Sequence, residues 1–271
     1  MTKSARNAFT SSGFGWTPIS ETAEPGRLKL EPIERRYLES GWDSCVGSSG
    51  TVLAVEAALR QSDARRQAIL HSSLDAIVTG SAIRPGDAVL GLPASGLHSN
   101  GYTLARHVLL GGEGAPGPFG LDDTPAELGG ASIADALLEP TVIYVRAALD
   151  LLRSDIPVHG LAHITGDGLS NLLRLTGDRA GFRIDAPLPV PAIFDLIAAH
   201  GSVSTAEMWE VFNMGCGFVA VVPPDRADDA IALLSERHPG TAVIGTVTDE
   251  GGTITAPTLG VTGDRHGLRA G

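Results

Sequence analysis

The feature that most constrains the fold is a change of hydrophobic pattern that follows the polar stretch near residues 62–67. From there on, short apolar runs alternate with longer segments that have helical spacing of their apolar residues. Residues 87–92, 159–164 and 218–222 have the composition of buried strands, whereas residues 103–110 have helical spacing. This alternation predicts an α/β or α+β fold, in which a mixed sheet is packed against helices.

Composition narrows the class of protein and of partner. The 271 residues are 43% apolar and 19% charged, which is a globular balance that suits one or two domains. No apolar run approaches a membrane span and the first residues lack a signal sequence, so we expect a cytoplasmic protein. The net charge of −11 argues against nucleic acid as a partner. Cys45 and Cys216 have no companion at metal-ligand spacing and are expected to be thiols.

The front of the chain differs from the rest. Residues 1–28 are predicted to be irregular, and a surface helix is expected over residues 29–40. The sequence GSSGT at residues 47–51 then lies between a predicted strand and a predicted helix, a position at which glycine-rich loops can hold phosphate. It lacks the lysine of a Walker A sequence, and short Gly/Ser turns are common.

The first segment of possible chemical interest joins the strand at 87–92 to the following helix. It contains Ser95, Gly96, His98, Ser99, Asn100 and Gly101. Hydroxyl, amide and free N–H groups at such a junction can bind an anion. The alternative is a turn whose Ser and Asn side chains only cap the helix.

A second strand-to-helix junction contains His163, Thr165, Gly166 and Asp167. An imidazole at a strand end can act as a general acid or base, and glycine lets a ligand approach the backbone. Asp167 could bind Mg²⁺ or a ribose hydroxyl. The structural alternatives are a histidine with satisfied hydrogen bonds and an aspartate that caps the helix.

The third segment, FNMGCG at residues 212–217, leads from a helix into a strand. Its glycines, including Gly215, fit a left-handed helix C-cap, which is the simpler interpretation. Asn213 is a candidate ligand contact in the same turn. Cys216 lies next to an apolar strand, so its thiol is expected to be buried and unreactive.

Taken in order, these segments resemble the aminoimidazole ribonucleotide synthase (phosphoribosylformylglycinamidine cyclo-ligase) family. The resemblance runs from about residue 74 to 247 and rests on five blocks. They are AIRPGDAVLGLPASGLHSNGYTLARHVL, LLEPTVIYVRAALDLL, HGLAHITGDGLSNLLRL, PLPVPAIFDLI and EMWEVFNMGCGFVAVVP. Residues 29–60 instead resemble a fragment of the exopolyphosphatase/guanosine pentaphosphatase family, whose phosphate loop has the sequence GSSGT.

The first resemblance implies a ligase with ATP and Mg²⁺ as cofactors, acting in purine biosynthesis. Such enzymes activate the formyl oxygen of formylglycinamidine ribonucleotide by phosphoryl transfer, and an amidine nitrogen then closes the imidazole ring. His163 would be the catalytic acid or base, or a phosphate contact. The nucleotide or substrate would contact Ser95, Gly96, His98, Ser99, Asn100, Gly101, Thr165, Gly166, Asp167, Asn213 and Gly215. Family members are homodimers whose N-terminal domains form a shared barrel.

The sequence departs from this family at its front. It has no acidic, glycine-rich motif of the DGVGTK kind and no N-D-L run, and the family holds Mg²⁺ and ATP largely by its N-terminal domain. We therefore expect an atypical N-terminal segment over residues 1–73, in which the barrel is truncated or replaced. A cyclo-ligase-like domain is expected over residues 74–256 and a flexible tail over residues 257–271. The metal ligands stay unassigned.

Three hypotheses follow for the activity. The chain is a cyclo-ligase, active alone or paired with a separate N-terminal half; or it is a binding module without turnover; or it is a phosphatase that uses the GSSGT loop. The N-terminal motifs with which the family holds Mg²⁺ and ATP are missing. Their absence argues against turnover by this chain alone, because phosphoryl transfer depends on the metal.

Overall fold

A computed structural model of the chain describes residues 77–112 and 115–271. The N-terminal segment predicted over residues 1–73, the predicted helix at residues 29–40 and the GSSGT loop at residues 47–51 lie outside these residues. No helix in the described ranges is long and apolar enough to span a bilayer.

Ten strands and seven α-helices occur in the described residues. The strands are β1 (Ala88–Pro93), β2 (Gly111–Gly112), β3 (Ala115–Pro116), β4 (Gly160–His163), β5 (Gly181–Ile184), β6 (Cys216–Val222), β7 (Ala242–Thr248), β8 (Ile254–Ala256), β9 (Val261–Asp264) and β10 (Gly267–Ala270). The helices are α1 (Tyr102–Leu110), α2 (Ile133–Leu138), α3 (Val145–Arg153), α4 (Leu173–Thr176), α5 (Ala192–Gly201), α6 (Thr205–Val211) and α7 (Ala227–Ser235). Strands and helices are interspersed as far as α7, whereas the last four strands, β7 to β10, follow one another without an α-helix between them.

Eight of the strands form one mixed sheet in the order β10-β9-β8-β5-β7-β1-β6-β4, and β2 and β3 form a separate short hairpin. All neighbouring strands of the large sheet are antiparallel except β5 and β8, which are parallel. The mixed sheet and its helices confirm the predicted α/β fold class.

Both faces of the centre of the sheet are buried, which explains the continuous apolar runs of β1 and β6. In β1, Val89 belongs to the core on one face, whereas Leu90 and Leu92 belong to the core on the other. Helices α1, α5 and α6 supply buried side chains to the first core, and α3 and α7 supply them to the second. A strand covered on both faces needs apolar residues at every position, so the alternation typical of a half-exposed strand is missing.

The structure corrects the prediction of a flexible tail over residues 257–271. A short 3₁₀ turn (Pro257–Leu259) leads into the antiparallel hairpin of β9 and β10, which extends the sheet. The Leu268 amide donates a hydrogen bond of 2.9 Å to Glu210 Oε2 on α6. These residues are polar and rich in glycine, so their strand character comes from pairing with β8 rather than from their own hydrophobicity.

Candidate functional site

The topology brings the three segments singled out in the sequence to one end of the sheet. Strands β1 and β4 flank β6, and both run antiparallel to it. The C-terminal ends of β1 and β4 therefore lie beside the N-terminal end of β6, where Pro93 pairs with Cys216 and His163 pairs with Phe218. We call the loop after β1 (residues 94–101), the loop after β4 (164–167) and the loop before β6 (212–215) the first, second and third site loops.

Asn213 fastens the third site loop to the first. Its side-chain Nδ2 donates to the Gly96 carbonyl at 2.8 Å, and its Oδ1 accepts from the Gly215 amide at 2.9 Å. The Ala94 amide also donates to the Gly215 carbonyl at 2.9 Å. The Asn213 side chain is buried, with 3% of the residue exposed. The Asn213 side chain therefore connects the two loops, and both of its polar atoms already have hydrogen-bond partners within the protein.

A glycine permits the closest approach between the same two loops. Gly101 has a φ of +75° and precedes α1. A Cβ atom at this position would overlap the ring of Phe212 in the third site loop. Only glycine meets both requirements at low energetic cost. The glycine predicted as a ligand contact thus has a packing role in the structure.

The second site loop lies beside the first. A Cβ atom at Gly166 would be 3.4 Å from Asn100 Oδ1. The Thr165 hydroxyl donates to Asn171 Oδ1 at 3.1 Å, and the Asn171 amide donates to the Gly168 carbonyl at 2.7 Å. Gly166 is exposed and Asn100 is half-buried, so a ligand can approach both residues.

The two predicted serines are held by the connection between α2 and α3, which lies in one of the five blocks of the family resemblance but contained no predicted site residue. Ser95 Oγ donates to the Pro140 carbonyl at 2.7 Å, and Ser99 Oγ lies 3.2 Å from Thr141 Oγ1. Residues 139–144 therefore form a fourth wall of the site. Apart from the family resemblance, the sequence marks this segment by Pro140, which ends one helix before the next begins.

Two imidazoles and two aromatic rings form the interior of the site. The ring centroids of His98 and His163 are 6.4 Å apart, and Tyr144 lies 6.2 Å from the first and 6.1 Å from the second. Tyr144 also stacks on Phe218 at 5.4 Å. Its hydroxyl donates to the Pro93 carbonyl at 2.6 Å.

Burial changes the acid–base properties of these groups. Loss of solvation, with a smaller contribution from the neighbouring His163, lowers the pKa of His98 to about 4. Loss of solvation also lowers the pKa of His163 and raises that of the Tyr144 phenol. Both imidazoles are therefore neutral at physiological pH. Burial raises the pKa of Cys216 to about 12, so this free, buried thiol is unreactive as predicted.

Asp167 faces a second opening beside the site. Its carboxylate is paired with Arg174, and its side chain does not cap the following 3₁₀ helix. The cleft has a volume of about 470 Å³. Its walls include Ser170, Glu210 and the turn residues Arg265 and His266 of the β9–β10 hairpin. This contact was not predicted, because residues 257–271 were expected to form a flexible tail.

The described site loops contain few groups that bind a divalent cation. Among the three site loops, Asp167 supplies the only carboxylate, and it pairs with a guanidinium. Within residues 77–112 and 115–271 there is no group of three or more His, Cys, Asp or Glu side chains placed to hold a metal. Mg²⁺ is often bound by one or two carboxylates together with water and substrate phosphates. The three site loops therefore offer a single carboxylate to such a cation.

Comparison with known proteins identifies the family. Residues 84–256 match the family described as AIR synthase related protein, C-terminal domain, and the chain belongs to this family. It is 43% identical over 206 residues to the phosphoribosylformylglycinamidine cyclo-ligase of Methanothermobacter thermautotrophicus, covering 76% of this chain and 58% of that protein. It is 49% identical over 176 residues to the enzyme of the same name from Thermococcus kodakarensis, covering 65% and 48%.

The chain spans about half the length of these curated relatives. Among solved structures, hydrogenase maturation protein HypE in complex with ATP matches with a TM-score of 0.44 and 20% identity, over 65% of this chain and 49% of that one. The three site loops all lie inside the family match.

Proposed function

We propose that this chain supplies the C-terminal domain of a phosphoribosylformylglycinamidine cyclo-ligase, the enzyme that closes formylglycinamidine ribonucleotide to aminoimidazole ribonucleotide at the expense of ATP. The relatives that carry this name are 41–49% identical to it over the matched region. The single observation that carries the proposal is the meeting of the three site loops at one end of the sheet. A cytoplasmic homodimer, or a complex with a separate N-terminal half, belongs to the same proposal.

The roles of the side chains follow from their accessibility. His163 is the proposed acid or base, because a neutral imidazole with a lowered pKa can accept a proton and return it. Asn100 and Gly166 offer an amide side chain and an open backbone to the ribonucleotide. Ser95, Ser99, Thr165 and Asn213 keep the loops in place through the hydrogen bonds described above, so in this proposal they act mainly by positioning.

Mg²⁺ and the ATP phosphates are proposed to be held outside the described residues, since the site loops contain a single, paired carboxylate. When bound, the cation would neutralise charge on the phosphates. The described side chains contribute binding and orientation of the ribonucleotide and the movement of a proton at His163.

The experiment is an ADP-release assay with formylglycinamidine ribonucleotide, ATP and Mg²⁺. It is run on the chain alone and with an added N-terminal half from a related cyclo-ligase. We expect release of ADP that depends on the ribonucleotide and is lost in His163→Ala. A matched control is His159→Ala, which removes a buried histidine from the other end of β4. Absence of ribonucleotide-dependent ADP under both conditions rejects the proposal.

A second candidate is a binding module that holds the ribonucleotide without converting it. The observation that favours it is the single carboxylate in the site loops, which leaves charge neutralisation to other residues. Calorimetry that detects binding of the ribonucleotide by a chain without ADP release would support this alternative.

A further inference from the structure

Two buried ring nitrogens of the site have no hydrogen-bond partner among residues 77–112 and 115–271. They are His98 Nδ1 and His163 Nε2. Buried polar atoms of folded proteins are nearly always paired with protein atoms or ordered water, so each such exception needs an explanation. These two belong to neighbouring rings, whose centroids are 6.4 Å apart and whose planes are inclined at 47°.

The surroundings of His98 determine which of its nitrogens carries the proton. The main-chain amide of Ser95 donates to Nε2 at 3.3 Å, and the amide of Val142 donates to the same atom at 3.4 Å. Both partners are N–H groups, so Nε2 must offer its lone pair. A neutral imidazole has one N–H group, and that group must then be on Nδ1.

This arrangement also limits what His98 can bind. Protonation of Nε2 would direct its hydrogen at two other donors, and burial already disfavours the charged ring. A metal ion would need a lone pair on Nδ1, where the proton is held. The free group of His98 is therefore a neutral N–H donor, which requires an acceptor atom.

The second unpartnered nitrogen shows where that acceptor lies. The two rings are too far apart for a direct hydrogen bond between their nitrogens, because neither nitrogen has a partner within bonding distance. A gap of this kind between polar atoms is commonly filled by one bridging oxygen. The Tyr144 hydroxyl is not that oxygen, because it lies outside hydrogen-bond distance of His98 Nδ1 and its own proton is donated to the Pro93 carbonyl.

Gly217 lets the His98 and Tyr144 rings pack closely against β6. A Cβ atom there would come within 2.7 Å of His98 Cε1 and would overlap the Tyr144 hydroxyl. Any larger residue would displace one of these two rings. The position of the His98 donor therefore depends on glycine at this place in the strand.

We propose that His98 is locked as a neutral Nδ1–H donor and that it shares one uncharged oxygen atom with His163 Nε2. The oxygen belongs to water in the free protein and to a carbonyl-type group of the ligand in the complex. Placing the ligand group here rests on the proposed function, whereas the lock on His98 does not. Water can donate to His163 Nε2, but a carbonyl oxygen cannot, so ligand binding requires the proton of His163 to be on Nε2.

The lock is tested by nitrogen NMR of the full chain labelled with ¹⁵N-histidine at pH 7. We expect a protonated, pyrrole-type Nδ1 and a pyridine-type Nε2 for His98, assigned by their loss in His98→Gln. The exposed His200, whose ring packs edge-on against Phe119, serves as the control for an imidazole at the surface. A protonated Nε2, a mixture of tautomers or a charged His98 would overturn the proposal.

Two substitutions distinguish the acceptor role of His98 Nε2 from the donor role of its Nδ1–H group. In His98→Gln the amide oxygen can replace Nε2 as acceptor for the two main-chain amides, but the donor is lost. In His98→Asn the shorter amide can replace the Nδ1–H donor but not the acceptor. We expect the Gln variant to melt near the wild type and to bind formylglycinamidine ribonucleotide about tenfold more weakly in calorimetry. The Asn variant should melt lower and retain more of the affinity, and the reverse order contradicts the assignment.

The shared oxygen is tested in a crystal structure of the full chain. We expect an ordered oxygen atom within hydrogen-bond distance of both His98 Nδ1 and His163 Nε2. If no oxygen atom lies between these nitrogens, either with or without the ribonucleotide, the shared oxygen is refuted. If ADP release fails but the Nδ1–H tautomer and the oxygen are found, the proposed function is rejected and this inference stands.

Discussion

Strands β1, β6 and β4 have a buried histidine system at each end, and the two systems differ in how their hydrogen bonds are satisfied. At the end opposite the site, His159 precedes β4 and Asp87 precedes β1. His159 Nδ1 lies 2.7 Å from Asp87 Oδ2, which also accepts from the Arg84 amide at 2.9 Å. At the site end, His98 and His163 each keep an unpartnered nitrogen.

The same strands thus carry a histidine that is paired within the protein at one end and the histidines proposed to bind the ligand at the other. The His159 and Asp87 side chains are hydrogen-bond partners of each other and connect the residues just before β4 and β1. Their role in the fold is therefore sufficient to explain them. A cleft of about 480 Å³ lies beside it, lined in part by Arg84, Pro223 and Asp225. At the site end, one buried nitrogen of His98 and one of His163 have no hydrogen-bond partner among the described residues. Buried nitrogens without a partner mark the end of the sheet at which we expect the ligand.

The largest effect expected is on turnover. His163→Ala should lower the rate of ADP release by about 10²–10⁴-fold, the usual contribution of a general acid or base. His159→Ala should leave the rate per folded molecule within a few-fold of the wild type. Steady-state assays on both variants, each corrected for its folded fraction by circular dichroism, make the comparison. Equal losses would mean that the two ends do not differ in function.

The next prediction concerns two variants, one at each end, that should be similar in stability but different in ligand binding. Asn213→Ala removes two buried hydrogen bonds and should lower the free energy of unfolding by about 3 kcal/mol. Asp87→Ala removes the acceptor for His159 and Arg84 and should lower it by a similar amount, about 2–3 kcal/mol. Urea unfolding measures both.

Calorimetry under conditions in which both variants remain folded then separates them. Asn213→Ala should lose affinity for the ribonucleotide, because the first and third site loops come apart. Asp87→Ala should keep it. Loss of binding in both variants would show that the affinity depends on global stability rather than on the site loops.

The third prediction is that His98, at the site end, makes the free energy of unfolding depend on pH. The pKa of His98 is lowered to about 4 in the folded chain, below its value of about 6.5 when unfolded. The unfolded state therefore binds more protons between these values, and stability present above pH 6.5 is lost as the pH falls toward 4. The loss attributable to His98 should be on the order of 3 kcal/mol by pH 4. His98→Gln should flatten this part of the curve of urea midpoint against pH, and an unchanged slope would show that His98 is not the group responsible.

The smallest effect concerns the C-terminal hairpin, which lies beyond the family match. Glu210→Ala removes the acceptor for the Leu268 amide and should lower stability by about 1 kcal/mol. Hydrogen exchange should become faster in β10 and stay unchanged at Asp87 and His159. Glu207→Ala, an exposed position on the same helix, is the control. If both variants give the same exchange pattern, the contact of Glu210 with the hairpin is not what holds it.

The sequence predicted the central strands well because β1 and β6 are apolar at every position, a pattern that is specific to strands buried on both faces. It also placed His163 and Asn213 at strand ends, since strand and helix boundaries follow from short local patterns. It could not predict that Asn213 bonds across to Gly96, because a contact between distant residues leaves no mark on either local pattern. Tyr144 and the β9–β10 hairpin were missed for the same reason. Both depend on partners supplied by the fold.

The central claim is that the three site loops form one site for a ribonucleotide. The direct test is hydrogen–deuterium exchange of the full chain with and without formylglycinamidine ribonucleotide. We predict joint protection of residues 95–102, 163–168 and 212–217, with no change at residues 84–87, 157–159 and 223–225. Protection confined to a single loop, or found at the His159–Asp87 end instead, would contradict the account.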